Sequence, residues 1–267
     1  MTKSADIDRS GFPLQIGLAR EIDNLRPEWR VIYQEHGWRN ERTGESGFID
    51  LVAEYQAHTI VLNIECKRPQ NATWQFLLPK PHDQQRRHCK LWASYGSSAG
   101  LKYFDWLDTT IDPASYESEF CVIAGQDSKS RPMLERTAAM VVDSTEALAN
   151  EEAGLLSTRA HSGLLRVYIN IIATTAKLEV CKFDPNDINL EDGTVGSSTY
   201  ETVPYIRFRK QLSAHPVVPK FDGIDDGIGT IARAKENTVL VVGATELTGL
   251  LDKLELSPRI AAEMGIA

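Results

Sequence analysis

The chain has 267 residues, 42% hydrophobic and 25% charged, with a formal net charge of −8. That is enough apolar material for a sizeable core and one to two domains, and it excludes a basic coat for nucleic acid, so any polyanion site must be a local patch. Cys66, Cys89, Cys121 and Cys181 make no Cys-x-x-Cys pair and join no histidine at zinc-site spacing, which argues against a zinc site and fits buried free thiols in a reducing, cytoplasmic setting.

The first ten residues are polar and lack the apolar stretch of a signal peptide. No apolar run approaches the roughly 20 residues of a membrane span, so no membrane partner is expected. From Pro13, the residues Leu14, Leu18, Ile22 and Leu25 recur at helical spacing, and Pro27 ends that helix. Trp29–Gln34 alternates as a strand. Phe48–Tyr55 and Thr59–Cys66 read as paired strands of a hairpin. After Pro79 and Pro81, the polar run His82–Tyr95 predicts a helix stopped by Gly96. Glu119–Ala124 reads as a strand. Pro132–Leu156 predicts a helix, with a break near Asp143, where Asp143 and Glu146 have the spacing of a capping box. One or two strands follow in Leu164–Phe183, then a long Asp-, Asn-, Gly- and Ser-rich loop over Asp184–Thr202. Pro204–Arg209 and Thr238–Val242 read as strands and Thr245–Leu254 as a last helix. Strands mixed with helices predict an α/β sheet under helical cover. No stretch has the composition of a linker, so a single domain spanning 1–267 is expected.

The hairpin carries charge where an apolar core is expected. Alternation puts Asp50, Val52 and Glu54 on one face of its first strand. Val61, Asn63, Glu65 and Lys67 share a face of the second. A turn over Gln56–His58 sets Asp50 opposite Ile64, with Glu65 and Lys67 beside it. Two carboxylates there cost free energy unless paired or bound to a cation. They suit Mg²⁺, which takes a few carboxylates and keeps several waters. Lys67 can assist an attacking water or charge developing on phosphorus. Asp50, Glu65 and Lys67 are thus the candidate catalytic set, with Asp50 and Glu65 as metal ligands.

Asp50, fourteen intervening residues, then Glu65-Cys66-Lys67 at the end of an apolar strand resembles the PD-(D/E)XK nuclease superfamily. Gly47-Phe48-Ile49-Asp50 before it fits the same pattern, although isoleucine stands where the motif's proline would be. The resemblance implies a restriction-endonuclease-like αβββαβ core with a mixed central sheet, covering about residues 13–125. Residues 126–267 would add C-terminal strands and helices. It further implies an acidic residue from the first helix, matched here by Glu21. The cofactor would be Mg²⁺, with Mn²⁺ as a substitute, and the substrate DNA, with RNA as the other candidate. A homodimer is expected, since double-strand cleavage needs two sites. The competing reading treats Glu65 and Lys67 as a solvated ion pair, Asp50 as an edge residue, and Glu21 as part of a solvated helix face. Glu54 reads as structural.

Arg68, Gln85, Arg86, Arg87 and Lys90, with Lys80, are candidate substrate-binding residues, because such side chains supply most phosphate contacts. Trp74 and Trp92 lie close by in sequence and could stack on bases. A solvated helix face explains the same cluster. Arg207, Arg209 and Lys210 form a second basic run, either facing nucleic acid or keeping a strand edge soluble. Gly227–Ala232 fits Gly-x-Gly-x-x-Ala but follows an Asp-rich loop, so it reads as a loop before a short helix. The expected function is a metal-dependent endonuclease in restriction, defence or repair. The alternative is a non-catalytic nucleic-acid- or protein-binding module on the same fold.

Overall fold

Three apolar runs dominate the chain: Ile60–Ile64, Val167–Thr174 and Val239–Val242 are almost wholly buried. A strand reads this way when both faces of its sheet are covered. The computed structural model describes residues 7, 10–69, 72–97, 99–123, 132–159, 163–213 and 228–266. The first elements are α1 (Phe12–Asp23), β1 (Trp29–Arg39), β2 (Ser46–Tyr55), β3 (Ile60–Lys67) and β4 (Thr73–Pro79). A long hairpin of β5 (Arg86–Ser97) and β6 (Gly100–Ser115) comes next, then the short β7 (Glu117–Ser118) and β8 (Cys121–Ile123). Helix α2 (Met133–Arg159) leads into β9 (Leu164–Thr174) and β10 (Lys177–Phe183). The chain continues through β11 (Ser198–Thr202), β12 (Tyr205–Lys210), α3 (Ile228–Ala234) and β13 (Asn237–Gly243). It ends with α4 (Leu247–Leu251), β14 (Glu255–Leu256) and α5 (Ile260–Glu263).

The result is a mixed α/β architecture around a 10-stranded mixed sheet, with C-terminal strands and helices added to it. Its main path runs β1-β2-β3-β9-β13-β12-β7. β2 lies antiparallel between β1 and β3, and β9 lies parallel to β3 from Ile60↔Val167 to Lys67↔Thr174. The other edge of β9 is shared: β5 pairs with its first half and β13 with its second. A second, 4-stranded sheet has the order β11-β10-β4-β8. Both β3 and β9 run on into it, as β4 and β10, which lie parallel to each other. Among the described residues no helix is long and apolar enough to cross a membrane.

Each face of the main sheet has its own core. Leu18, Ala19 and Ile22 of α1 pack on Leu51, Ala53, Leu62 and Ile64. Leu134, Ala138, Val141 and Leu148 of α2 pack on Val52, Val61, Tyr168 and Ile172. Under α2 the sheet also carries two buried amides. Asn63 donates to Ser144 Oγ and Thr145 Oγ1, each at 2.7 Å, and Thr145 Oγ1 donates to Asn170 Oδ1 at 2.6 Å. Asn170 passes the chain on to the Thr238 carbonyl at 3.1 Å. This network explains why α2 runs unbroken through Asp143: Ser144 and Thr145 face polar partners in the sheet rather than capping a new helix.

Several sequence expectations change. The predicted helix over His82–Tyr95 is mostly strand β5, because its residues are enclosed by β6, β9 and α2 and that context overrides local propensity. The expected strand over Glu119–Ala124 shrinks to the three residues of β8 on the second sheet, with Ala124 outside the described residues. The main sheet draws on more than residues 13–125, since β9, β12 and β13 all come from beyond that span. The helix expected over Thr245–Leu254 is only α4, preceded by a 3-10 turn at Ala244–Glu246, and the short α5 follows it. Ile228–Ala232 does open a short helix, α3; Gly227 lies outside the described residues.

The β1–β2 hairpin leaves the plane of the sheet and folds over α2. Its tip is tied down by Asn40, which donates to Glu146 Oε2 at 2.9 Å and to the Asp143 carbonyl at 3.1 Å. Arg42 Nε adds a bond to Glu146 at 3.0 Å, and His36 Nε2 meets Glu151 at 2.9 Å. Asp143 stands beside Glu146 with its Oδ1 buried, 4.0 Å from Arg42 and without a hydrogen bond from a described residue. Burial and the Glu146 charge push its pKa up to about 6, despite Arg42. The folded state then binds this proton more tightly than the unfolded chain, so stability falls as pH rises from 3.8 to about 6. Asp143→Asn is expected to stabilise the protein by about 1–2 kcal/mol at pH 8 and by nothing near pH 3. Urea unfolding at the two pH values checks this; an equal effect at both would mean that charge is not the cause.

Candidate functional site

β2 and β3 separate at Asp50. Their ladder runs from Glu54↔Val61 to Leu51↔Ile64 and ends, whereas β2 continues beside β1 as far as Arg39↔Ser46. The register is one residue off the predicted one, so Asp50 comes level with Glu65 rather than Ile64. Beyond the split, Ile49 and Trp38 turn into the core under α2. The Cys66 N–H, which the ladder no longer serves, donates to Asp50 Oδ2 at 2.6 Å. The Asp50 carbonyl accepts from Gln15 Nε2 of α1 at 2.8 Å. Lys67 Nζ is bonded to Glu65 Oε1. The result is a notch at one end of the sheet, holding two carboxylates from neighbouring strands and one ammonium.

The electrostatics of the notch are unbalanced. Burial and the Glu65 carboxylate push the Asp50 pKa up to about 6, outweighing the Cys66 N–H and Lys67. The side chains of Glu65 and Lys67 are 13% and 31% exposed, so the pair is partly open to solvent. Asp50 Oδ1 and Glu65 Oε2 accept no hydrogen bond from a described residue. The Cys66 thiol between Glu65 and Lys67 is buried, which pushes its pKa far up and makes it inert. Two open carboxylate oxygens in a cation-poor notch fit a hard divalent ion that retains water ligands. Among the described residues no three His, Cys, Asp or Glu side chains converge as a ready-made metal site.

Sequence reading missed Glu35. It lies on β1 between Gln34↔Leu51 and His36↔Ile49, hence level with Asp50, and its charge also raises the Asp50 pKa. Its φ of 53° is a left-handed conformation that costs a side-chain-bearing residue about 1 kcal/mol. No sequence signal announces this position, because it depends on the irregular register of β1. Glu35→Gly is expected to stabilise the fold by up to about 1 kcal/mol while weakening Mn²⁺ binding. Glu35→Gln should weaken binding alike without the stability gain. Calorimetric titration with Mn²⁺ beside urea unfolding separates the two effects, and unchanged binding in both variants would remove Glu35 from the site.

The other candidates fall elsewhere. Glu21 pairs with Arg20 at 2.6 Å on the outer side of α1, six residues or about 9 Å along the helix from Gln15. Gln15, not Glu21, is the α1 side chain that reaches Asp50. Arg68 is exposed just beyond Lys67 and makes no ion pair with another described residue. Gln85, Arg86, Arg87 and Lys90 belong to β5 or the turn before it. β9 separates β5 from β3, so two interstrand spacings, about 10 Å, intervene. Arg86 pairs with Glu117 at 3.4 Å and Arg87 with Asp112. Lys90 is buried, donating to the Ala234 carbonyl with Asp108 at 3.7 Å. These side chains are committed to local partners, and Gln85 is simply exposed. Trp74 and Trp92 are core residues rather than stacking platforms. Arg207 is buried against Ser115 Oγ at 2.6 Å and the Ile111 carbonyl at 2.9 Å, and Arg209 pairs with Asp108 and Glu236. β12 pairs with β13 along its length and with the short β7 at Arg207 and Phe208, so Arg207 is not on a free edge.

Glu54 is structural, as its sequence reading held. It is locked between Arg30 at 2.8 Å, His58 at 3.0 Å and Arg166. Compared with known proteins, the chain matches no family model, no curated protein and no solved structure.

Proposed function

We propose that the chain is a metal-dependent nuclease that hydrolyses DNA phosphodiesters at the notch of Asp50, Glu65 and Lys67. The observation carrying this reading is the meeting of Asp50 and Glu65 across the split between β2 and β3, with Lys67 against Glu65. The chain order supports it as well. A helix, three antiparallel strands, a long helix and a strand parallel to the third make an αβββαβ succession of the restriction-endonuclease-like kind. In this reading the second helix and last strand are α2 and β9, and the β4–β8 segment is inserted between β3 and α2.

Asp50 and Glu65 would hold Mg²⁺ or Mn²⁺ through their open oxygens. The ion, when bound, polarises a phosphoryl oxygen and makes bound water more acidic. The remaining work belongs to the chain. Lys67 offsets negative charge building on phosphorus, and in doing so leaves Glu65. Arg68, exposed just beyond Lys67, would hold a neighbouring phosphate. The Cys66 N–H keeps the Asp50 carboxylate turned into the notch. Two copies would serve the two strands of a duplex.

One observation favours the alternative, a non-catalytic nucleic-acid- or protein-binding module. The Lys67–Glu65 pair neutralises one carboxylate without any metal. The decisive assay offers supercoiled plasmid, linear duplex, single-stranded DNA and RNA with Mg²⁺ or Mn²⁺, and again with EDTA. Turnover that needs metal and vanishes in Lys67→Ala is expected. No turnover on any substrate would leave the module reading standing.

A further inference from the structure

We infer that Gln15 is a positioning residue that sets Asp50 in the notch; the inference rests on the nuclease reading for its consequence but not for its geometry. Gln15 is 5% exposed, an unusual place for an amide on an otherwise apolar helix face. Its neighbours on that face, Leu18, Ala19 and Ile22, bury themselves against β2 and β3. Gln15 alone spends its hydrogen-bonding capacity on the sheet, donating from Nε2 to the Asp50 carbonyl at 2.8 Å.

The need for this bond follows from the split. Where β2 and β3 pair, each main-chain polar group finds its partner across the ladder. At Asp50 the ladder has ended, and two main-chain groups take other partners: the carbonyl of residue 50 and the N–H of residue 66. The second is taken by the Asp50 carboxylate and the first by Gln15. Asp50 is therefore fixed twice, through its main chain by α1 and through its side chain by β3. Without Gln15 the carbonyl would be free to turn. The carboxylate, one residue of backbone away, would then lose its alignment on Cys66 and its place beside Glu65. The covalent connection makes the two hydrogen bonds cooperative: each holds the peptide in the orientation the other requires.

The test uses Gln15→Met, which keeps the length and removes the donor, with Gln15→Leu as a second shape should the first fold poorly. Ser118→Ala serves as the stability control, because it deletes a bond of 2.8 Å to the Leu77 carbonyl far from the notch. Two readouts are needed. Amide hydrogen exchange in the metal-free protein should show the Cys66 N–H exchanging about 10-fold faster in the Gln15 variants, with Ile64 unchanged and Ser118→Ala like wild type. Mn²⁺ affinity, measured by calorimetry, should fall about 10-fold in the Gln15 variants and not in Ser118→Ala. Unaltered Cys66 protection in both Gln15 variants would overturn the positioning role. Faster Cys66 exchange in the Gln15 variants, beside a wild type that binds no Mn²⁺, would support the positioning and sink the metal reading instead.

Discussion

Asp50→Asn is expected to lower metal-dependent cleavage by about 10³-fold and, at pH 8, to make the protein more stable. The loss follows from the ion: a catalytic metal contributes several kcal/mol of transition-state stabilisation, and about 4 kcal/mol corresponds to 10³ in rate. The gain follows from burial. With a folded-state pKa near 6 against 3.8, Asp50 takes up protons more readily in the folded chain. Stability therefore declines as pH climbs through that interval, and the ionised group is a liability above it. Asparagine can still accept from the Cys66 N–H but carries no charge. After allowance for partial exposure, the expected gain is about 1 kcal/mol at pH 8 and none below pH 3. Mg²⁺ should stabilise the wild type by mass action and leave Asp50→Asn unmoved. Initial rates on plasmid, together with thermal unfolding with and without Mg²⁺, give both signs in one experiment. A variant that cuts like wild type would end the case for Asp50 as a ligand. Opposite signs in activity and stability identify a group held at a cost for chemistry, which a solvated surface carboxylate never produces.

Glu54→Ala should have the largest effect on stability, about 3–5 kcal/mol at pH 7. The Glu54 carboxylate is 7% exposed and faces two guanidinium groups and an imidazole from three places in the chain: Arg30 on β1, Arg166 on β9, and His58 in the turn before β3. Arg166 itself is only 10% exposed and is held on its other side by Glu152, which also accepts from Tyr168 at 2.6 Å. Deleting Glu54 leaves the Arg166 guanidinium buried with one of its two carboxylate partners gone. Burial alone would raise the Glu54 pKa, yet the hydrogen bonds from Arg30, Arg166 and His58 win and hold it below the usual carboxylate value. Its stabilisation is thus complete above the unfolded value of 4.5 and disappears as pH falls through the lower folded value. The gap between wild type and Glu54→Ala should accordingly close in acid. Chemical denaturation at pH 7 and at pH 3 measures it. A cost under about 1 kcal/mol at pH 7 would mean that Glu152 alone satisfies Arg166.

Glu54 and Asp50 sit four residues apart on one strand, and the contrast between them is instructive. Glu54 is hydrogen-bonded by Arg30, Arg166 and His58 and its pKa falls; Asp50 is buried beside another carboxylate and its pKa rises. A carboxylate supplied with too little positive charge is the one equipped to receive a metal ion. Lys67→Ala would widen that deficit, because the Lys67 charge lowers the Asp50 pKa. Metal binding should survive the change while cleavage does not.

The amino-acid order alone determined the β2–β3 hairpin, its two-residue alternation, and hence the company of Asp50, Glu65 and Lys67. All of these depend on residues within about 20 positions of one another, where a short turn leaves the pairing little choice. It also determined the apolar strands that became β9 and β13, since burial on both faces demands an unbroken apolar run. Only the tertiary structure decided the rest. Arg86–Ser97 has residues that suit a helix, and it became a strand because Trp92 pairs with Tyr168, far along the chain. The basic residues expected to meet a phosphate backbone were drawn instead to Glu117, Asp112 and Asp108. Glu35 and Gln15 entered the notch from β1 and α1 through a bulged register and a break in the ladder. Such contacts have no local signature, because which side chains fill the space left by a parted strand is settled only when separate elements pack together.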